Sequence, residues 1–175
     1  MERSRGAWLA AAVALLALGS GGVAQGDGGG KRAFKADLHG FEEPPAVSST
    51  GSGAFKAKLS QDRTSFEYSL SFEDLEGTVT QAHIHVGQKG VNGGISIWLC
   101  GTMTNPGPAG TPDCGGPNSG EATGTVNAAS VIGPAGQGIA AGEFEEVLRA
   151  MQEGVTYANV HSTKHPGGEI RGQIK

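Results

Sequence analysis

Ser65-Phe66-Glu67-Tyr68-Ser69-Leu70-Ser71-Phe72 alternates strictly between polar and apolar side chains. A period of two puts Phe66, Tyr68, Leu70 and Phe72 on one face of a strand and the serines and Glu67 on the other, as in a half-buried β-strand. The preceding segment has the same rhythm, with Phe55, Ala57 and Leu59 alternating with Lys56 and Lys58. Only a short link around Gln61-Asp62-Arg63 separates the two runs, which predicts a tight hairpin.

Outward from this hairpin the pattern repeats. Further strands are expected at Ala33–His39, Thr78–Val86, Ile95–Cys100, Glu121–Asn127, Val155–His161 and Glu169–Ile174, with glycine-rich turns between them. About eight short strands and little helix predict an all-β fold, a sandwich or Greek-key barrel. One helix interrupts the series. Over Glu143–Glu153, Phe144, Val147, Leu148 and Met151 fall at helical spacing, Glu143, Glu145 and Glu146 sit at the positive end of the dipole, and Gly154 supplies a stop. It is expected to cover one open end of the β structure.

The chain of 175 residues holds 31 glycines without a Gly-X-Y period. That length fits one domain, and the glycines read as turns and bulges. At the N-terminus, Arg3 and Arg5 precede the apolar run Ala7–Leu18 and the small residues Gly19–Ala24, the order of a secretory signal cleaved after Ala24. The run is too short for a membrane span, which needs roughly 20 residues, so no span is expected after cleavage. Residues 25–31 read as a flexible spacer and residues 32–174 as the domain. A secreted or periplasmic location follows.

Export makes Cys100 and Cys114 a candidate disulfide around a Pro/Gly/Thr-rich loop; their spacing excludes a CxxC site. The net charge is −4 and the basic residues are scattered, which argues against a nucleic-acid partner. Lys31, Arg32 and Lys35 form a small basic patch that reads as a solvated face.

Several separated motifs resemble one family. Leu38-His39-Gly40, Glu43-Pro44-Pro45, Ala82-His83-Ile84-His85-Val86-Gly87 with Asn92-Gly93, Tyr157-Ala158-Asn159-Val160-His161-Ser162 and His165-Pro166-Gly167-Gly168-Glu169-Ile170-Arg171-Gly172-Gln173 look like the CHRD domain, first known from chordin. The likeness covers nearly all of residues 32–174. It implies an extracellular type of protein and an immunoglobulin-like barrel. It does not carry over chordin's growth-factor binding, because this chain lacks the cysteine-rich modules. The family also bears a weaker resemblance to the copper/zinc superoxide dismutase barrel, matched here by His83, His85 and the pair Val160-His161.

Those histidines are the candidate site. On a strand, His83 and His85 project from one face with bases about 7 Å apart. If the strand bearing His161 lies alongside, three imidazoles could hold copper or zinc, with His165 as a fourth ligand. Asn159, Glu169 and Arg171 are candidates for the groups that orient the ligands. The alternative is a purely structural polar network of the same residues. No histidine lies between His85 and His161, so neither a bridging imidazole nor a second zinc set can be assigned, which weighs against dismutase chemistry.

Other motifs carry less. Glu42-Glu43-Pro44-Pro45 reads as a strand end before a stiff turn, with cation binding as the other reading. The serines of Val47–Gly53 lack the context of a hydrolase nucleophile. No catalytic set is identified. The sequence therefore ranks first a non-catalytic extracellular module that binds an unknown protein or glycan, and second a copper- or zinc-binding protein, with a redox role as one form of it.

Overall fold

The computed structural model describes Met1 and residues 30–175. The expected signal segment and most of the expected spacer lie outside the described residues. Eight strands follow in order: β1 (Ala33–His39), β2 (Ser52–Leu59), β3 (Ser65–Glu73), β4 (Val79–Val86), β5 (Gly94–Cys100), β6 (Gly120–Asn127), β7 (Thr156–Ser162) and β8 (Ile170–Gln173). One α-helix, α1 (Phe144–Gln152), precedes β7. The strands and helix expected from periodicity are all present, with ends shifted by a few residues.

Every strand pairing is antiparallel, in the order β5-β4-β7-β8-β1-β2-β3-β6. The two ends of this sheet curl back toward each other, leaving a nearly closed barrel. The Tyr68 hydroxyl on β3 donates to the Leu99 carbonyl on β5, and Cys100 at the end of β5 is disulfide-bonded to Cys114, which precedes β6. A loop of this length lowers unfolded-state entropy by an amount worth about 3 kcal/mol. The closure buries the alternating residues that announced the fold: Phe34, Leu38, Phe55, Leu59, Phe66, Leu70 and Phe72 all lie in the core.

Helix α1 buries Phe144, Val147, Leu148 and Met151, with the Phe144 and Phe66 rings 5.8 Å apart. Gly154 follows with φ of 69°, a left-handed stop. Among the described residues no helix is long and apolar enough to cross a membrane.

One strand departs from the half-buried pattern. All seven residues of β7 are buried, although its apolar core residues, Ala158 and Val160, lie on one face alone. Its other face, with Tyr157, Asn159 and His161, is roofed by three loops. The segment after β1 brings Glu43, the β4–β5 loop brings Gln88 to Gly93, and the β7–β8 turn brings Pro166. Asn92 ties two of these loops by donating to the Pro44 carbonyl at 3.2 Å, and Lys89 pairs with Glu42 at 2.9 Å. Polar side chains enclosed in this way form the candidate site.

Candidate metal centre

The register between β4 and β7 sets His83 opposite Asn159, His85 opposite Tyr157 and Gln81 opposite His161. All six therefore share the outward face, and His161 lies diagonally beside His83. The two strands that carry the motif histidines are neighbours. His83, His85 and His161 each offer a ring nitrogen within 4.8 Å of the others. His83 is fully buried and the other two are 7% exposed.

Backbone carbonyls fix two of the rings. His85 Nδ1 lies 2.9 Å from the Gly93 oxygen and His161 Nδ1 lies 2.9 Å from the Pro166 oxygen. A carbonyl only accepts, so both Nδ1 atoms carry the proton and both Nε2 atoms present a lone pair. The His161 Nε2 faces His83 Nδ1 at 3.2 Å and Asn159 Oδ1 at 3.1 Å. The Nε2 atoms of His83 and His85 are buried with no hydrogen-bond partner. An orphaned buried polar atom costs about 1–3 kcal/mol, which an ion ligated at that nitrogen would offset.

Burial also keeps the rings neutral. It pushes His83 down to about 2 and His85 down to about 4, with mutual repulsion adding to the effect, and it lowers His161 as well. Neutral imidazole is the form that binds a metal.

Aromatic groups clamp the cluster from outside. The Tyr157 ring stacks on His85 at 4.8 Å and 3°, and the Arg171 guanidinium lies 3.3 Å above the centre of the Tyr157 ring. Arg171 is itself buried and donates to the Gln88 and Val91 carbonyls at 3.2 and 2.9 Å. Trp98 of β5 meets His83 edge to face at 4.4 Å. Glu43 is buried beside Asn159 and Arg171, and desolvation raises its carboxyl to about 7, although both neighbours pull it down.

A family model, the CHRD domain, matches residues 34–174. The chain belongs to the CHRD family. Comparisons with curated proteins and with solved structures returned no match. In this CHRD domain the separated sequence motifs converge around the histidines. The Glu43-Pro44-Pro45 turn, the His-Ile-His strand with Asn92-Gly93, the β7 segment, Gly168 and Arg171 lie about the cluster.

Not every candidate residue joins them. Asn159 and Arg171 do, on adjacent strands. His165 turns away toward Glu76, at 3.4 Å. Glu169 accepts from the Ser49 hydroxyl and the Glu76 backbone N–H, both at 2.6 Å, on the far side of the β7–β8 turn. Those two residues form a separate group with Glu76, apart from the three histidines. Glu43, Tyr157 and Trp98 were not singled out from sequence as part of the site. Tyr157 carried a signal, lying two residues before Asn159 on the face that holds His161. Glu43 and Trp98 reach the site only through tertiary contacts.

The buried histidines predict acid sensitivity in the metal-free domain. Below about 6.5 the unfolded chain takes up protons that the folded rings refuse, so stability falls as pH drops, by about 1.4 kcal/mol per pH unit for each fully refused proton. Glu43 acts oppositely. Its raised value of about 7 means that it favours the folded state at low pH and loses that contribution as pH rises from its ordinary 4.5 through 7. Three histidines outweigh one carboxyl between pH 4.5 and 6.5. The urea midpoint is therefore expected to be lower at pH 5 than at pH 7, and an equal or higher midpoint at pH 5 would contradict the assignment.

Proposed function

We propose that this CHRD domain binds one copper or zinc ion on His83, His85 and His161. The observation that carries the reading is the set of three neutral, buried imidazoles whose nitrogens converge while two of them lack any partner. An all-imidazole donor set suits Cu(II) and Zn(II) alike. The carbonyls of Gly93 and Pro166 orient the His85 and His161 rings through Nδ1, as groups around metal-bound histidines generally do. Copper held there would supply one-electron chemistry, and zinc would supply a structural clamp or a Lewis acid.

The chain's own residues restrict what could reach such an ion. The loops over β7 exclude bulk solvent, Arg171 places a positive charge beside Tyr157, and Glu43 offers a buried carboxyl next to Asn159. Small ligands rather than polymers fit an enclosure of this kind. The Cys100–Cys114 disulfide and the N-terminal charged and apolar pattern support an oxidising compartment outside the cytoplasm.

Titration of the purified domain with Cu(II) and with Zn(II), followed by calorimetry and metal analysis, tests the reading. One ion per chain is expected. The bound ion should also raise the thermal midpoint, since a ligand at a hundred times its dissociation constant adds about 2.7 kcal/mol to stability. If neither Cu(II) nor Zn(II) binds at one equivalent and neither shifts the midpoint, the proposal is removed.

A further inference from the structure

A second feature lies on other strands and shares no residue with the histidine cluster. Lys35 of β1 stands directly opposite Lys56 of β2. Lys35 and Lys175 exchange both backbone hydrogen bonds at 2.9 Å, so they too are direct antiparallel partners. Directly opposed residues share a face with Cβ atoms about 4.5–5.5 Å apart. Lys175, Lys35 and Lys56 therefore form a ladder across three adjacent backbone segments, all three exposed. Lys58 extends the face two residues along β2, opposite Ala33, and Lys31 lies two residues before Ala33.

No ion pair among the described residues engages this row. The ion pairs of the described residues engage Lys89, Arg149, Lys164 and His165, and none involves the five lysines. The carboxylates on the same outward face are Asp37, two residues from Lys35, Glu67, opposite Lys58, Glu73, opposite Ser52, and Glu121, opposite Ser71; none of them is in an ion pair with the ladder. Like charges placed directly opposite each other on a sheet are destabilising. The ladder is thus a charge concentration carried against stability, in a chain whose net charge is −4. Between the lysine stems lies a shallow depression floored by Ala33, Phe34 and Ala57.

We propose that this lysine ladder binds a linear anionic polysaccharide, one bearing carboxylate or sulfate groups on successive sugars. The surface is an exposed strand face of the barrel, on which an extended polymer can lay its charges against the row. A lipid surface is disfavoured because the exposed large apolar residues among those described, Met1, Phe41, Val91, Met103 and Ile132, all lie outside these strands. Single-stranded nucleic acid is disfavoured because the face presents no exposed aromatic ring on which bases could stack.

The test uses heparin-agarose as the column and soluble alginate as competitor, with the full domain. Retention is expected at about 0.15 M NaCl, with alginate displacing the protein. The variant Lys35→Ser/Lys56→Ser/Lys175→Ser should bind about tenfold or more weakly at that salt, because its contacts release counterions. The variant Lys89→Ser/Lys164→Ser, altered elsewhere, should elute as wild type. Removing like charges should leave the thermal midpoint unchanged or higher; if the triple variant nevertheless unfolds, Lys35→Ser and Lys56→Ser alone should each elute at lower salt. The proposal is overturned by wild-type elution of the ladder variants. Stronger displacement by anionic phospholipid vesicles or by single-stranded DNA than by alginate would equally overturn it.

Discussion

Replacing His83 and His85 together with alanine is expected to abolish metal uptake while the domain stays folded. The substitution removes two of three converging ligands and leaves a single imidazole, His161, whose Nε2 cannot hold an ion alone. A loss of well over a hundredfold in affinity should follow, since even changes to groups that merely orient ligands cost 10–100-fold. The effect on folding is smaller because opposing terms partly cancel. Truncation leaves a cavity and forfeits the stack of His85 on Tyr157, worth about 0.5–1.5 kcal/mol. It also removes two buried nitrogens that have no hydrogen-bond partner, each worth about 1–3 kcal/mol to the metal-free state. Calorimetric titration of the double variant, with circular dichroism to establish folding, decides the matter. Wild-type affinity in a folded double variant would eliminate the site. The variant His165→Ala separates this assignment from a four-histidine one, because His165 faces Glu76 and its loss should leave uptake unchanged.

Gly93→Ala should be the most damaging single methyl in the domain. A Cβ at this position would sit 1.7 Å from the Val86 carbonyl oxygen and 2.6 Å from its carbon. Both atoms are backbone, so no side chain can swing aside and the β4–β5 turn itself must open. Gly93 is also a part of the site. Its N–H donates to the Tyr157 hydroxyl at 3.1 Å and its carbonyl accepts from His85 Nδ1 at 2.9 Å. Opening the turn therefore releases the group that holds the His85 proton on Nδ1. We expect a stability loss of about 3 kcal/mol, at the upper end for strained backbone, and a 10–100-fold weaker affinity for the metal. Gly90 provides the contrast. Its φ is 76° but nothing lies within 4 Å of an added Cβ, so Gly90→Ala should cost only about 1 kcal/mol and leave binding unaltered. Urea unfolding and metal titration of both variants compare them directly, and a Gly93→Ala protein as stable as Gly90→Ala would refute the packing argument.

Much of the fold is legible in side-chain alternation. The β2–β3 hairpin is readable because each strand has one buried face, so polarity switches at every residue. The same rule places His83 and His85 on one side of β4. It fails for β7, where Tyr157, Asn159 and His161 are as buried as Ala158 and Val160. Periodicity registers one buried face, and a strand roofed by loops has two. His165 and Glu169 show the complementary limit. Both lie close to His161 in sequence, yet the β7–β8 turn carries them to Glu76, because a turn redirects side chains that a continued strand would have kept on the same face.

By itself the sequence determined the family, the eight strands, the helix, the cysteine pair and the shared face of His83 and His85. All of these depend on local spacing or on motifs contiguous in the chain. Only the tertiary structure decided that β7 lies against β4, that Glu43, Tyr157 and Trp98 enclose the histidines, and that Lys35, Lys56 and Lys175 stand in one row. Spacing along a strand fixes which way a side chain points. Which strand lies beside it is set by closure of the whole barrel, through pairings between segments far apart in the chain.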